Sequence, residues 1–159
     1  GGILARCAGT EAVRRAEGVA VLMGEHGLTH VDATDDDATL WARQRAGQRS
    51  RSSVLVRIAT RPHELAGVLS ATERAGGTLV GRAALGTSYV EVEPDAVELL
   101  LGALPASART VFLDVPGELR ESLDSWGQTD PALLELMRRV KARFDPAHAC
   151  NPGLFVGGI

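Results

Sequence analysis

A chain of 159 residues with 45% hydrophobic and 23% charged residues is long enough to bury the core of a folded globular domain. The formal net charge of −3 argues against a nucleic-acid-binding protein, which usually carries a basic excess, and no apolar run approaches the ~20 residues of a transmembrane segment. The chain has only two cysteines, Cys7 and Cys150, and a single pair does not make a disulfide framework, which favours a reduced, cytoplasmic protein.

The first part of the chain predicts a βαβ segment followed by a short helix. Residues 3–9 and 29–33 have the pattern of short strands, and Thr10 can cap a helix between them. A second helix is predicted over residues 34–47, with the acidic run 35–37 at its start, where helix N–H groups favour negative charge. The longer acidic run DATDDD, residues 32–37, could bind a divalent cation in principle, although helix capping explains it more simply.

The middle of the chain predicts the element order of a ferredoxin-like domain. Four strands are predicted, over residues 53–59, 78–85, 88–93 and 109–116. Helices that start at Thr60 and Pro94 follow the first and third strands, and a turn around Gly86 joins the second strand to the third. We therefore predict an α+β fold. It has a ferredoxin-like βαββαβ core with an antiparallel sheet over about residues 53–116, the extra N-terminal βαβ segment and a C-terminal helix.

Arg57 lies within the first strand of this core, on the face opposite Val54, Val56 and Ile58. One explanation is a solvated arginine that extends over the sheet. The alternative is an arginine that faces an anion or a partner domain, because a sheet with helices on one side leaves its other face open. The sequence leaves the role of Arg57 undecided.

Neither a metal site nor a phosphate-binding loop is predicted. His26 and His30 are four residues apart, but Gly27 interrupts the helix between them, and zinc-ligand spacings are absent. The sequence GRAALGTS, residues 81–88, has Thr87 where a phosphate-binding lysine belongs and lies between two predicted strands. A hairpin turn explains it better.

The last helix is predicted to begin at Pro131, with Asp130 as its N-cap. Lys141 and Arg143 lie near its C-terminal end, where cations are favoured. Its apolar positions repeat at helical spacing and form one stripe, namely Leu133, Leu136 or Met137, Val140 and Phe144.

A first proline-bearing turn follows this helix in the sequence FDPAHACNPGLF. Pro146 ends the helix and biases Asp145 away from helical dihedral angles. The Asp145 carboxylate can then accept hydrogen bonds from nearby backbone N–H groups.

A second turn contains Asn151, Pro152 and Gly153. Pro152 is expected to extend Asn151, and Gly153 can supply a positive φ. The predicted result is a stiff loop that presents the Asn151 amide at a fixed angle. An amide both donates and accepts, so it suits a carbonyl group, a flavin ring edge or a 2-hydroxy acid. The alternative is a structural turn whose Asn151 caps only its own backbone.

The sequence MRRVKARFDPAHACNPG, residues 137–153, resembles the C-terminal signature of FAD-linked oxidases of the vanillyl-alcohol-oxidase type. In that family a lysine-bearing helix runs into Phe-Asp-Pro and then into Asn-Pro-Gly. Among its members the chain is most similar to the FAD-binding subunit, or E subunit, of bacterial glycolate oxidase. Residues 3–9 and 56–69 also fit that subunit.

The resemblance implies that residues 1–159 are a single C-terminal cap domain, which lies over the flavin and shapes the substrate side. FAD would be bound mainly by an N-terminal FAD-binding domain that these residues lack, and the non-methionine Gly1 agrees with a piece of a longer chain. The expected cofactor-binding residues are Asn151, Pro152, Gly153 and His148. No catalytic or metal-binding residue is assigned.

The implied partners are the FAD-binding domain of the same full-length chain, other oxidase subunits that carry flavin and iron–sulfur groups, and a small 2-hydroxy acid. As isolated, this chain is not expected to turn over substrate. His148 stands where the family usually has glycine, a departure that bears on the conformation of the loop. The family's His-rich metal motif is absent, which favours the glycolate oxidase E subunit. The alternative function is non-enzymatic: a ferredoxin-like ligand-sensing or dimerisation module that pairs through its sheet.

Overall fold

The computed structural model describes residues 2–46, 52–120, 123–127 and 129–159. The chain divides into two compact units, Gly1–Ala42 and Arg43–Ile159. No helix in the described part of the chain has the length and apolar character that crossing a lipid bilayer requires.

The predicted N-terminal βαβ segment is wrong, because its two strands do not form. Residues 3–9 and 29–33 pair with no strand in the described part of the chain, and the first apolar residues, Ile3 and Leu4, remain exposed. A strand needs a ladder partner and a buried face, and neither short run obtains them. Between them, helix α1 spans Ala12–Glu25, and Gly27, which was predicted to interrupt the helix, follows its end with a φ of +88°.

Helix α2 spans Ala38–Ala46 and is shorter than its predicted range of 34–47, of which Gly47 lies outside the described residues. Before the helix, the N–H group of Asp36 donates to Thr34 Oγ1 at 3.1 Å, which holds this stretch in a turn. Asp37 forms an ion pair with Arg6 at 3.0 Å, and the same guanidinium lies 5.9 Å from the Trp41 ring centroid. The last acid of the run is therefore engaged by a protein cation.

The ferredoxin-like core is confirmed. Its strands are β1 (Val54–Ala59), β2 (Thr78–Arg82), β3 (Thr87–Val92) and β4 (Arg109–Asp114), and its helices are α3 (Leu65–Arg74) and α4 (Val97–Ala103). The sheet is antiparallel with the order β2-β3-β1-β4, so that β1 is central. Val56 of β1 lies between Val90 of β3 and Phe112 of β4. This alternation of strands and helices gives the βαββαβ order read from the sequence.

One face of the sheet carries the core. Val54, Val56 and Ile58 are fully buried on this face, together with Val68 of α3 and Leu100 of α4. The apolar residues that alternate along β1 and those at helical spacing in α3 and α4 all point to this face. The sequence pattern predicted these elements for that reason.

The opposite face is covered at one end of β1 and open at the other. Leu55 is 0% exposed, whereas Arg57, two residues further on the same face, is exposed. The predicted role of Arg57 and the predicted pairing of two copies through this face remain predictions.

The β2–β3 connection is the hairpin expected from GRAALGTS, but β2 ends earlier than predicted. Residues 83–85 form a single 3₁₀ turn, and Gly86 follows with a φ of +60°. Its carbonyl oxygen accepts a hydrogen bond from the Thr60 N–H group at 2.8 Å. A Cβ atom at Gly86 would lie 2.0 Å from the Thr60 carbonyl oxygen, so both backbone angle and space require glycine.

Helix α5 spans Pro131–Phe144 and begins as predicted. The Asp130 carboxylate accepts from the N–H groups of Ala132 at 2.8 Å and Leu133 at 3.2 Å. On its inner side, Leu134 packs against Gly157 of the C-terminal tail, where a Cβ would come within 2.6 Å of Leu134 Cδ1. The predicted apolar stripe is largely exposed, with Leu133 at 46%, Leu136 at 52%, Val140 at 50% and Phe144 at 85%, whereas Met137 is half-buried.

Candidate functional site

The loop after α5 is organised by one carboxylate. Asp145 Oδ1 accepts from the Ala149 N–H group at 2.9 Å, and Oδ2 accepts from the Cys150 N–H group at 3.0 Å. The Lys141 ammonium, one helical turn earlier, donates to Asp145 Oδ2 and to the Cys150 carbonyl oxygen, both at 2.8 Å. Asp145 thus binds its own turn, as predicted, and the lysine fastens this turn to the helix.

These contacts lower the pKa of Asp145 to about 2. The largest cause is the hydrogen bond from Lys141, followed by the backbone N–H groups of Cys150 and Ala149. All three donors stabilise the ionised carboxylate. The loop is therefore held by a charged group that stays ionised at neutral pH.

Three residues of the loop adopt positive φ angles: His148 at +51°, Asn151 at +44° and Gly153 at +77°. His148 takes the left-handed conformation in place of the glycine of the family pattern, and Gly153 supplies the positive φ that was expected. The expected extended conformation of Asn151 is wrong. Its carbonyl oxygen accepts from the Leu154 N–H group at 3.3 Å, which closes a turn, and asparagine tolerates the left-handed region.

The Asn151 side chain is exposed, and no described residue hydrogen-bonds its amide group. Its neighbour Cys150 is fixed on both sides, through its N–H group and its carbonyl oxygen. The amide is therefore presented from a constrained backbone while its donors and acceptor remain available to a ligand.

An open groove of about 500 Å³ lies between α5, this loop and the C-terminal tail. Its polar lining consists of Asn151, Cys150 and Lys141. The rest of the lining is apolar and comes from α5 and the tail: Leu136, Met137, Val140, Phe155 and Ile159. Part of the exposed stripe of α5 is thus one wall of a groove whose edge carries the Asn151 amide.

The C-terminal tail is fixed by Trp126, a residue that the sequence reading did not single out. Its Nε1–H group donates to the Leu154 carbonyl oxygen at 3.1 Å. Its ring contacts the Phe155 ring edge-on, with centroids 4.7 Å apart. The segment before it is tied to the sheet, since the Phe112 N–H group of β4 donates to the Ser125 carbonyl oxygen at 2.8 Å. The presence of a tryptophan in an otherwise polar loop could have indicated a packing contact at this position.

The predicted site residues are close in sequence, but they do different things. Asn151 lines the groove, whereas His148, Pro152 and Gly153 are exposed residues of the loop that carries it. Lys141 was predicted only as a favourable helix-end cation. Because Lys141 lies four residues before Asp145, the sequence could have predicted the ion pair between them.

Other candidate centres give no ligand set in the described residues. Among them, no group of three or more His, Cys, Asp or Glu side chains is placed to hold a metal ion. Cys7 and Cys150 are free. The glycine-bearing segment 81–88 is a hairpin and does not precede a helix, so it lacks the geometry that cradles phosphates.

The model of the family "FAD linked oxidases, C-terminal domain" matches residues 127–154. This segment begins directly after Trp126 and includes α5, the Asp145 turn and Asn151. Neither the curated proteins nor the solved structures contain a match to the chain. The matched segment covers 28 of the 159 residues and supports a C-terminal domain of an FAD-linked oxidase, a family of oxidoreductases with FAD as their cofactor.

Proposed function

We propose that this chain is the cap domain of an FAD-linked oxidoreductase that oxidises a small 2-hydroxy acid, in the manner of the glycolate oxidase FAD-binding subunit. The observation that carries the proposal is the Asn151 amide. It is exposed, it has no hydrogen-bond partner among the described residues, and it stands at the edge of a groove. Asn151 itself lies within the matched segment.

The residues of the loop fit the edge of a flavin or a substrate, and they do not fit a pyrophosphate. An amide offers two donors and an acceptor, which matches the mixed donors and acceptors of a flavin ring edge and the hydroxyl and carboxylate of a 2-hydroxy acid. The described residues offer no glycine-rich turn before a helix for the phosphates. FAD is therefore proposed to be held mainly by the FAD-binding domain of the full-length chain.

When bound, FAD supplies the chemistry by accepting a hydride from the alcohol carbon. The task of this chain is to position the substrate and exclude water. The Asp145–Lys141 contact holds the loop, the loop fixes the backbone of Asn151, and the amide orients the substrate or the flavin edge. The apolar walls of the groove offer water no hydrogen-bond partner beside the reacting carbon.

Further oxidase subunits that carry flavin and iron–sulfur groups are proposed to receive the electrons. This part of the proposal comes from the similarity to the glycolate oxidase E subunit and from the absence of the His-rich motif in the sequence. A pull-down from the native host with the full-length protein tests it. Recovery of subunits that contain iron and flavin is expected, and recovery of the full-length protein alone contradicts it.

The test of the reaction uses the full-length protein loaded with FAD under anaerobic conditions. A panel of 2-hydroxy acids is added, and bleaching of the oxidised flavin absorbance is followed. Asn151→Asp retains the size and the left-handed tolerance of the residue but removes the N–H donors, so kcat/KM is expected to fall about 10²-fold, the order seen for one positioned donor. Ala147→Ser, at an exposed position of the same loop outside the groove lining, is the matched control and should change it less than twofold.

Two outcomes contradict the proposal. The first is that no 2-hydroxy acid bleaches the flavin. The second comes from titrating the 159-residue chain alone with FAD: tight stoichiometric binding would show that the main cofactor site lies within this chain instead of a separate domain.

A further inference from the structure

The groove beside Asn151 is larger and more apolar than glycolate requires. Five of the side chains that line it are apolar, and its volume is about 500 Å³, within the range of pockets that hold ligands of drug-like size. Glycolate carries no side chain on its alcohol carbon, so it would leave these walls in contact with water.

The polar groups of the groove are gathered on the side of the loop. The Lys141 ammonium has three N–H donors, of which Asp145 and Cys150 use two, so one remains for a ligand. The Asn151 amide adds donors and an acceptor. The loop edge of the groove can therefore hydrogen-bond the carboxylate and hydroxyl groups of a ligand, and the apolar residues of α5 can contact its hydrocarbon chain.

We infer that the groove binds the side chain of the substrate, and that the preferred substrate is a 2-hydroxy acid with an aliphatic or aromatic side chain rather than glycolate. This inference rests on the proposed function and specifies its substrate class. Leu136 and Val140 of α5 form one wall, Phe155 and Ile159 of the tail supply further apolar lining, and Met137, a flexible side chain, adapts to the occupant. Leu136 and Val140 are exposed, on this inference, because they form part of the surface that binds the substrate.

The first experiment measures binding to the 159-residue chain without flavin. The chain has two tryptophans, Trp41 and Trp126, so the Trp41→Phe variant leaves Trp126 as the reporter. Trp126 contacts Phe155, which lines the groove. 2-Hydroxyhexanoate is expected to change its fluorescence saturably, whereas glycolate at the same concentrations is not. Equal responses to both acids, or no response to 2-hydroxyhexanoate, would overturn the inference.

The second experiment compares kcat/KM for flavin reduction in the full-length, FAD-loaded protein. Each buried methylene is worth about fourfold, so 2-hydroxyhexanoate should exceed glycolate on the order of 100-fold. Leu136→Ala should lower kcat/KM for 2-hydroxyhexanoate at least ~10-fold more than it lowers kcat/KM for glycolate. Leu133→Ala is the matched control, because Leu133 is a similarly exposed leucine of α5 outside the groove lining.

The outcomes separate the two levels of the argument. If glycolate is used as well as 2-hydroxyhexanoate, or if both leucine variants lose activity equally, the side-chain inference is wrong while the oxidation of 2-hydroxy acids stands. If no 2-hydroxy acid reduces the flavin, the proposed function is wrong and the inference falls with it.

Discussion

The Lys141 ammonium and the Asp145 carboxylate meet at 2.8 Å across one turn of α5, and the same ammonium reaches the Cys150 carbonyl oxygen. Both side chains of the pair are largely shielded from water, with 18% and 12% of their surface exposed. A local i, i+4 pair thereby fixes a loop that continues to Asn151. The rigidity of the candidate site depends on this contact.

Removing the cation should loosen the loop without unfolding the domain. In Lys141→Met the Asp145 carboxylate loses its strongest donor, and the loop loses its tie to α5. The amides of Ala149 and Cys150 should exchange hydrogen at least ~10-fold faster, as expected for the loss of one charge-assisted bond. Arg143→Met, which removes another cation from the same helical turn, is the control. Equal acceleration in both variants would show that general helix fraying is responsible.

The Asp145 contacts should give a defined acid dependence. Its pKa is lowered from 3.8 to about 2, chiefly by Lys141, so around pH 3 the unfolded state binds more protons than the folded state. The stabilisation is therefore fully present above about pH 5 and is lost as the pH falls through about 4 to 2. Thermal unfolding of the wild type and of Asp145→Asn measures this. The difference in Tm should shrink over that window, and a constant difference would contradict the ion-pair explanation.

Gly86 should be far less replaceable than Gly76. Both have positive φ angles, +60° and +64°, but only at Gly86 does a Cβ atom collide with backbone, at 2.0 Å from the Thr60 carbonyl oxygen. Gly76→Ala should cost the left-handed strain alone, about 1–2 kcal/mol. Gly86→Ala should cost more than about 4 kcal/mol or prevent folding, since the hairpin must move away from β1. Denaturant unfolding of the two variants compares them, and equal costs would contradict the packing argument.

Trp126 should stabilise the C-terminal tail through two separable contacts. Trp126→Phe removes the N–H donor to Leu154 and retains a ring against Phe155, so a loss of about 1 kcal/mol is expected. Trp126→Ala removes the ring contact as well and should cost clearly more. Unfolding monitored by circular dichroism gives both values. Trp41→Phe, in the N-terminal unit, controls for the loss of a tryptophan. If the Phe and Ala variants are equally stable, the ring contact contributes nothing.

The ferredoxin-like core could be predicted because local patterns and tertiary packing agree there. The alternation around Val56 and the helical spacing around Val68 both point to the same buried face. The N-terminal strands could not be predicted correctly, because a short apolar run such as Ile3–Leu4 does not reveal whether a ladder partner exists. Residues 3–9 and 29–33 find no strand to pair with among the described residues, which their own sequence could not show.

The candidate site was predicted in part. Two prolines indicated a stiff loop, and Asp145 was expected to bind its own turn, which it does. The sequence did not indicate that Lys141 fastens the loop, or that Asn151 takes a left-handed angle before Pro152. Nor did it reveal the contact between Trp126 and Leu154, because a hydrogen bond across 28 positions leaves no local periodic signal.

The central position of β1 has a consequence for how the chain folds during synthesis. Val54 pairs with Val92 of β3, and Leu55 pairs with Asp114 of β4. β1 leaves the ribosome before the other strands of the sheet, and it stays unpaired until β3 and β4 have been synthesised. Contacts of such sequence separation are slow to form, and the unpaired apolar strand is exposed to misassociation in the meantime. We expect nascent chains arrested before β4 emerges to depend on a chaperone, and chains arrested beyond it to resist proteolysis.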